Sequence, residues 1–211
     1  MKAIVIGATG AVGQDLVKTL LYDDRYETVT TFTRRPLGFT HPKIQSFIVD
    51  FNLPDTWHHL VQGDVLFSAL GTSLKQAGSK EAQYRVDHDY QLSFARAARE
   101  NGVPHMVLVS SVGADSSSRF FYLKLKGLIE KDVEALQFPS LTILRPPSLI
   151  RKHAKRPAET VSVKLLHLAS SLGLCKAMAP VPTESVARKM ADEGAHPLEG
   201  VKILSAQETR G

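Results

Sequence analysis

The chain has 211 residues, of which 43% are hydrophobic and 22% charged, with a formal net charge of +5. This composition is that of an ordinary globular protein, and the length allows a single domain over residues 1–211. No run approaches the roughly 18 consecutive apolar residues that a membrane-spanning helix needs, so no membrane segment is expected. The basic residues are scattered without interleaved aromatic residues, which argues against nucleic-acid binding.

The cysteine content and the N-terminal residues predict the compartment. The single cysteine, Cys175, cannot form an internal disulfide, which is typical of the reducing cytoplasm. The chain starts directly in an apolar run, so no signal or transit peptide is expected. These two features predict a cytoplasmic protein.

The first thirteen residues predict a strand, a tight glycine-rich turn and the start of a helix. An apolar run from Ala3 to Ile6 precedes glycines with the spacing G-x-x-G-x-x-G, and an amphipathic segment at about 11–22 follows. Glycines at these positions permit the turn, the close approach of a pyrophosphate and tight helix packing, and the helix N-terminus offers free N–H groups. A turn without a ligand is the alternative. The residues expected to bind a dinucleotide here are Gly7, Ala8, Thr9, Gly10, Ala11, Val12 and Gly13.

The second predicted strand, Thr28 to Thr33, is followed by two arginines. Dinucleotide-binding folds place a carboxylate at this point for the 2′-hydroxyl of NAD, or an arginine for the 2′-phosphate of NADP. Arg34 and Arg35 stand there, and no acidic residue occurs between Val29 and Pro36. Since guanidinium groups bind phosphate through charge-assisted hydrogen bonds, the pair predicts NADPH as the cofactor. A solvated loop is the alternative.

The third and fourth predicted strands run from Ile44 to Val49 and from Asp64 to Leu70. Asp50 follows the third strand and is expected near the adenine ring, where its carboxylate can accept a hydrogen bond from the exocyclic amine. A turn of small residues ends the fourth strand and is expected to lie beside the cofactor, unless it is an ordinary strand-end turn. Its residues are Ala69, Leu70 and Gly71.

The rest of the chain continues to alternate between helices and strands. The predicted elements are a helix at about Ser79 to Asn101, a strand at Met106 to Val109, a helix at about Ser118 to Leu136 and a strand at Leu141 to Leu144. A less regular region at 146–182, with Val161 to Leu172 as its best helix candidate, precedes a helix at about 184–193 and a short strand near 202–205. Strands that are apolar on both faces and alternate with helices predict an α/β fold. We expect a doubly wound parallel sheet, that is a Rossmann fold, with 146–182 as a small irregular C-terminal cap that faces the substrate.

A serine pair, a tyrosine and a lysine follow the fifth strand. Ser110 and Ser111 end that strand, while Tyr122 and Lys126 lie four residues apart, on one face of the next helix. An ammonium beside a phenol favours the phenolate, and such a tyrosine can exchange a proton with a carbonyl or alcohol oxygen. The pattern predicts these residues as catalytic and leaves open which serine faces the substrate. A half-buried tyrosine and a surface lysine without a role are the alternative.

Together these features resemble the atypical branch of the short-chain dehydrogenase/reductase superfamily, and within it the Tat-interacting-protein-like NADPH-binding oxidoreductases. The likeness extends to about residue 150. It depends on the glycine-rich turn, the arginine pair and the blocks V-D-H-D-Y at 86–90, V-S-S-V-G-A-D at 109–115, F-Y-L-K-L-K-G at 121–127 and L-R-P at 144–146. It implies NADPH along the carboxyl edge of the sheet, with Tyr122 and Lys126 also touching the cofactor. The residues that it places beside the nicotinamide are Pro146, Ser148 and Leu149.

The sequence departs from typical members of the superfamily in two ways. The segment after Pro147 is short, so no large substrate domain is expected, and the residues used in proton transfer differ. The turn after the fourth strand is Ala69-Leu70-Gly71 rather than Asn-Ala-Gly, and the helix asparagine that feeds a proton relay has no clear counterpart. The branch also includes regulators without known turnover. The sequence therefore predicts an NADPH-dependent oxidoreductase acting on a small carbonyl or quinone-like substrate. The alternative is a non-enzymatic NADPH-binding regulator or redox sensor that binds a protein partner through a surface including residues 151–180.

Two other classes of site are excluded by spacing. The eight histidines show no metal-ligand spacing, so no metal is expected. The glycine-rich turn is not followed by Gly-Lys-Ser or Gly-Lys-Thr, which argues against a phosphate-binding NTPase. The sequence does not determine the oligomeric state.

Overall fold

A computed structural model describes residues 1–150 and 179–210. Its strands are β1 Lys2–Ile6, β2 Thr28–Thr33, β3 Ile44–Ile48, β4 Val65–Ser68, β5 His105–Val109, β6 Ser140–Leu144, β7 Leu149–Ile150, β8 Val181–Pro182 and β9 Gly200–Leu204. Its α-helices are α1 Ala11–Leu21, α2 Leu74–Ala77, α3 Lys80–Tyr84, α4 Tyr90–Glu100, α5 Phe121–Glu134 and α6 Thr183–Ala195. A π-helical segment, Arg85–Asp89, joins α3 to α4, and 3₁₀ turns lie at Pro54–Thr56, His58–Leu60 and Glu208–Arg210.

Seven strands form one parallel sheet in the order β3-β2-β1-β4-β5-β6-β9. The chain begins at β1, extends outward to β3, and then returns to place β4 on the other side of β1. The strand order therefore reverses between β1 and β4. In doubly wound sheets, ligands bind outside the carboxyl ends of the strands at such a reversal. The predicted doubly wound parallel sheet is confirmed.

Helices cover both faces of this sheet. On one face α1 and α6 pack together, and Leu16, Leu20 and Met190 are fully buried there. On the other face Phe94 of α4 stacks on Trp57, with ring centroids 3.9 Å apart. A parallel sheet is stabilised mainly by burying the apolar residues on both of its faces.

Three local features differ from the sequence prediction. The helix predicted at 79–101 is divided by the π-helical segment, a type of irregularity that is frequent at functional sites. Helix α5 begins at Phe121 rather than at Ser118, because the Asp115 carboxylate accepts hydrogen bonds from the Ser117 amide and hydroxyl and so favours a turn. The third feature is a small parallel pair of strands, β7 and β8, which are too short to give a sequence signal.

Most of the predicted cap at 146–182 lies outside the described residues, and so does its helix candidate, Val161 to Leu172. The single-domain organisation with a substrate-facing cap therefore stays a prediction. The helix and strand predicted after the cap correspond to α6 and β9. Within the described ranges, no helix is long and apolar enough to cross a bilayer.

His105, the first residue of β5, makes the stability pH-dependent. Its side chain is 1% exposed, and burial lowers its pKa from 6.5 to about 4. As the pH falls, the unfolded chain therefore takes up a proton before the folded protein does. Above pH 6.5 the imidazole is neutral in both states and does not lower the free energy of unfolding. As the pH falls from 6.5 toward 4, protonation of the unfolded chain lowers this free energy by at most about 3 kcal/mol.

Urea unfolding at neutral pH and near pH 4.5 measures this loss, with His105→Gln as the variant that cannot titrate. We expect the parent to lose more stability than the variant over this interval. Equal losses in the two proteins would assign the pH dependence to other groups.

Candidate functional site

The glycine-rich turn joins β1 to α1 at the point where the strand order reverses. Gly7 has a φ of +82°, and a Cβ there would lie 2.5 Å from backbone atoms of Ala69 and Leu70. A Cβ on Gly13 would collide with the Gly7 carbonyl. At Gly10, where φ is −78°, the nearest neighbour of a Cβ would be the Gly7 oxygen at 3.2 Å. The fold itself therefore requires the outer two glycines, whereas the middle one leaves space above the turn.

A cavity of about 670 Å³ opens over this turn. Thr9 and Gly10 line it, its charged lining residues are Arg34, Arg35 and Arg85, and none of the described residues that line it is acidic. The first turn of α1 contains no acidic residue and Gly10 provides no side-chain cap, so the positive end of the helix dipole is free for an anion. This donor set fits a pyrophosphate with an additional phosphate nearby. A smaller adjoining cavity is lined by Ala8, Phe32, Thr33 and Phe51 among others.

A second cavity, of about 530 Å³, continues from the first along the carboxyl ends of the strands. The residues that line both cavities are Gly10, Ala69, Leu70, Gly71 and Thr72. The second cavity also contains Ala11 and Val12 from α1 and Leu149 from β7. One cleft therefore has a cationic half and a more apolar half, which suits a dinucleotide with phosphates at one end and an uncharged ring at the other.

Three of the predicted catalytic residues line the second cavity: Ser110, Tyr122 and Lys126. The Lys126 side chain is buried, with the residue 4% exposed, and its Nζ donates to the Val109 carbonyl at 3.5 Å. Tyr122 is 42% exposed and stands at the mouth. Tyrosine and lysine are thus held at different depths of one cavity by successive turns of α5.

The two serines differ in their surroundings. Ser110 is 4% exposed, and its Oγ has no hydrogen-bond partner within the described residues. Ser111 donates through its Oγ to the Val112 carbonyl at 3.3 Å and is not among the residues that line the cavity. A buried hydroxyl without a partner is costly, so Ser110 is the serine available to a ligand.

Gly127, which directly follows the lysine, positions this part of the site. A Cβ at Gly127 would collide with the backbone at Asp115 and Ser116. The missing side chain lets the loop after β5 lie against α5, so that Ser110 and Lys126 reach the same cavity. A glycine inside an otherwise helical sequence was the available signal for this close approach.

Asp87 is a site residue that the sequence analysis did not assign. It lies in the π-helical segment and is fully buried. The Thr72 amide donates to its Oδ1 at 2.6 Å, whereas its Oδ2 has no partner within the described residues. Burial raises the pKa of Asp87, and the Lys126 charge opposes this shift. A Cβ at Gly71 would lie 3.8 Å from Asp87 Oδ1 and 4.0 Å from Lys126 Nζ, so the carboxyl and the ammonium flank this glycine.

Two glutamines hold Asp87 and the turn after β4 in place. Gln83 donates to the Thr72 carbonyl at 3.2 Å, and Gln91 accepts from Ser68 Oγ at 2.6 Å. Residues 83, 87 and 91 are all buried polar residues at a spacing of four. This polar stripe on one helix face was the sequence signal that could have revealed Asp87.

Three other residues predicted to bind the cofactor lie away from the cavity walls. Asp50 lies after β3 with its Oδ1 accepting from the Asn52 amide at 2.9 Å, and these hydrogen bonds hold its pKa below the usual range. It is not among the residues that line the three cavities described above, whereas its neighbour Phe51 lines one of them. Pro146 is buried and Ser148 exposed. The structure therefore brings neither Asp50, Pro146 nor Ser148 to the cavity walls.

Comparison with known proteins identifies the family. Residues 7–197 match the sequence model of an NAD(P)H-binding family. The FMP52 protein of Meyerozyma guilliermondii is 35% identical, with 99% of this chain and 93% of that protein covered. The chain belongs to the NAD(P)H-binding atypical short-chain dehydrogenases/reductases. HTATIP2 of Rattus norvegicus is also similar, with 38% identity over 76% of this chain and 68% of its own length. The resemblance stated from the sequence is confirmed.

Solved structures of the superfamily share the fold. A short-chain dehydrogenase/reductase superfamily protein from Agrobacterium tumefaciens with bound NAD superposes with a TM-score of 0.75 at 16% identity, covering 99% of this chain and 78% of that one. This likeness shows the fold, and membership of an NAD(P)H-binding family assigns a nicotinamide dinucleotide as the cofactor. In the part of the chain that the structure describes, no three metal-binding side chains are clustered.

The names of the yeast relatives correct the predicted compartment. FMP52 of Meyerozyma guilliermondii is named a mitochondrial protein, as are the FMP52 proteins of several other yeasts. The cytoplasmic prediction is therefore wrong as an inference from this sequence. It depended on the lone cysteine and on the apolar run at the N-terminus, and a single cysteine is compatible with any compartment because it has no internal partner.

Proposed function

We propose that this chain is an NADPH-dependent oxidoreductase acting on a small carbonyl or quinone-like substrate. The observation that carries the proposal is the convergence of Ser110, Tyr122 and Lys126 on one cavity that continues into the cavity over the glycine-rich turn. A nicotinamide ring in the second cavity would lie near these three residues, and a substrate oxygen could bind beside it. The cofactor, when bound, supplies the hydride.

Each of the three residues has a distinct role in this proposal. Tyr122 exchanges a proton between its Oη and the substrate oxygen, as positioned phenols do in acid–base catalysis. Ser110, whose Oγ is buried without a partner, donates a hydrogen bond to the same oxygen. Lys126 contributes its charge to the same cavity and is kept in place by the Val109 carbonyl.

The exposure of Tyr122 provides a route for returning its proton that does not need the asparagine of a buried relay. With 42% of the residue exposed, its hydroxyl can regain a proton directly from water. A buried relay is then unnecessary, which agrees with the lack of a clear counterpart to the usual asparagine. Proton return through water is thus part of the proposed mechanism.

The decisive experiment is a turnover screen with the purified protein, NADPH and a panel of aldehydes, ketones and quinones. The absorbance of the reduced nicotinamide reports the reaction. Substrate-dependent oxidation of NADPH supports the proposal. Tight NADPH binding without turnover on any substrate would favour the regulator instead, whose partner surface would include residues 151–180 and the exposed Phe120 near Tyr122.

NADPH is expected to bind more tightly than NADH, because Arg34 and Arg35 line the cavity and none of its lining residues in the described part of the chain is acidic. A charge-assisted phosphate contact contributes about 1.5–3 kcal/mol, which corresponds to roughly tenfold to a hundredfold in affinity. Calorimetric titration with both cofactors measures the ratio, and Arg34→Gln and Arg35→Gln should reduce it. Equal affinities of the parent protein for the two cofactors would contradict the assignment of the arginines.

A further inference from the structure

A third arginine lines the same cavity as Arg34 and Arg35, although it is far from them in the sequence. Arg85 is the first residue of the π-helical segment, and it belongs to a wall that also contains Ala82 and Val86. The two other arginines come from the loop after β2. The cavity over the glycine-rich turn therefore receives guanidinium groups from two separate parts of the chain.

These three guanidinium groups have no counter-charge in the described part of the protein. None of them makes a hydrogen bond or ion pair there, and all three are exposed. Other arginines are paired: Arg25 with Asp23 and Arg145 with Glu130. Like charges gathered in one cavity repel each other, and a bound anion removes this repulsion. The arrangement therefore favours a ligand with more than one negative charge.

The cavity that Arg85 lines decides which part of a bound dinucleotide it would contact. Gln83 and Asp87 line the cavity of Lys126, whereas Arg85 lines the cavity of Arg34 and Arg35. Arg85 thus belongs to the phosphate half of the cleft and not to the half with the catalytic residues.

NADPH has two anionic groups that would fit the phosphate half of the cleft, the pyrophosphate and the 2′-phosphate. The pyrophosphate has its own donors at the glycine-rich turn and at the N-terminus of α1. The 2′-phosphate is a monoester with about two negative charges near neutral pH and three acceptor oxygens, which match guanidinium donors arriving from more than one side. The third arginine is therefore best explained by the monoester.

We propose that Arg85 binds the 2′-phosphate of NADPH together with Arg34 and Arg35. This inference rests on the proposed function, because it takes the adenosine half of NADPH to lie in this cavity. It makes Arg85 a determinant of cofactor specificity and assigns the π-helical segment to cofactor selection as well as to the catalytic cavity.

The test uses calorimetric titration of the whole chain with NADPH and NADH, and with the fragments 2′,5′-ADP and 5′-AMP. Arg85→Gln is expected to weaken NADPH and 2′,5′-ADP by about tenfold and to leave NADH and 5′-AMP within about twofold. Arg85→Lys should retain part of the affinity, because it keeps the charge and loses the fork of donors. Arg96→Gln is the matched control. It removes an exposed arginine further along the same helical run that does not line the cavity, and it should change nothing.

The outcomes separate this inference from the proposed function. If Arg34→Gln removes the preference for NADPH and Arg85→Gln does not, the role of Arg85 is overturned and the cofactor assignment stands. Equal weakening of NADPH and NADH by Arg85→Gln would place Arg85 on the pyrophosphate and also overturn it. If the parent protein does not prefer NADPH at all, the proposed cofactor itself is wrong.

Discussion

Tyr122→Phe is expected to lower turnover by about 10²–10⁴-fold, the usual contribution of a positioned acid–base group, while leaving NADPH affinity nearly unchanged. The ring keeps its place on α5, and only the hydroxyl that exchanges the proton with the substrate oxygen is lost. The measurement is kcat on the best substrate from the turnover screen, together with the Kd of NADPH. Tyr22→Phe is the matched control, because Tyr22 is 83% exposed and does not line either cavity of the cleft.

Lys126→Ala should behave differently from Tyr122→Phe. The Lys126 ammonium is buried in the cavity, where in the proposed mechanism it would hold ribose hydroxyls of the cofactor as well as act near the substrate, so its loss should reduce both turnover and cofactor affinity. A thermal melt separates these effects from unfolding, since Lys126 is buried beside Asp87. Full activity of Tyr122→Phe would rule out Tyr122 as the acid–base group and with it the proposed mechanism.

Gly10→Val is expected to abolish cofactor binding while the fold survives. The backbone at Gly10 has a φ of −78°, which valine adopts without strain. A Cβ there would lie 3.2 Å from the Gly7 oxygen and 3.7 Å from the Ala69 oxygen, so a small local shift suffices. The methyl groups, however, would enter the space above the turn that the pyrophosphate needs.

Circular dichroism and NADPH titration together test this separation of fold and binding. Gly13→Val is the contrasting variant, because even its Cβ would collide with the Gly7 carbonyl and the protein should lose its fold. A Gly10→Val protein that binds NADPH like the parent would show that the turn has a structural role only.

Sequence alone determined the features that depend on neighbours along the chain. The apolar run, the glycine spacing and the helix that follows predicted β1, the turn and α1, because each is a local preference of the backbone. The same is true of Tyr122 and Lys126, whose spacing of four places them on one side of α5. The alternation of apolar strands with helices predicted the doubly wound sheet, since only a sheet covered on both faces buries such strands.

The tertiary structure decided what depends on residues from distant parts of the chain. Only the packing of α5 against the loop after β5 shows that Ser110 and not Ser111 lines the cavity. Asp50 turns toward Asn52 rather than to the cavity, although its position after β3 suggested the reverse. Asp87 and Arg85 lie in the same π-helical segment and line different halves of the cleft. These contacts join residues that are close only after β4 has paired with β1, and a pattern read along one strand or helix does not contain that pairing.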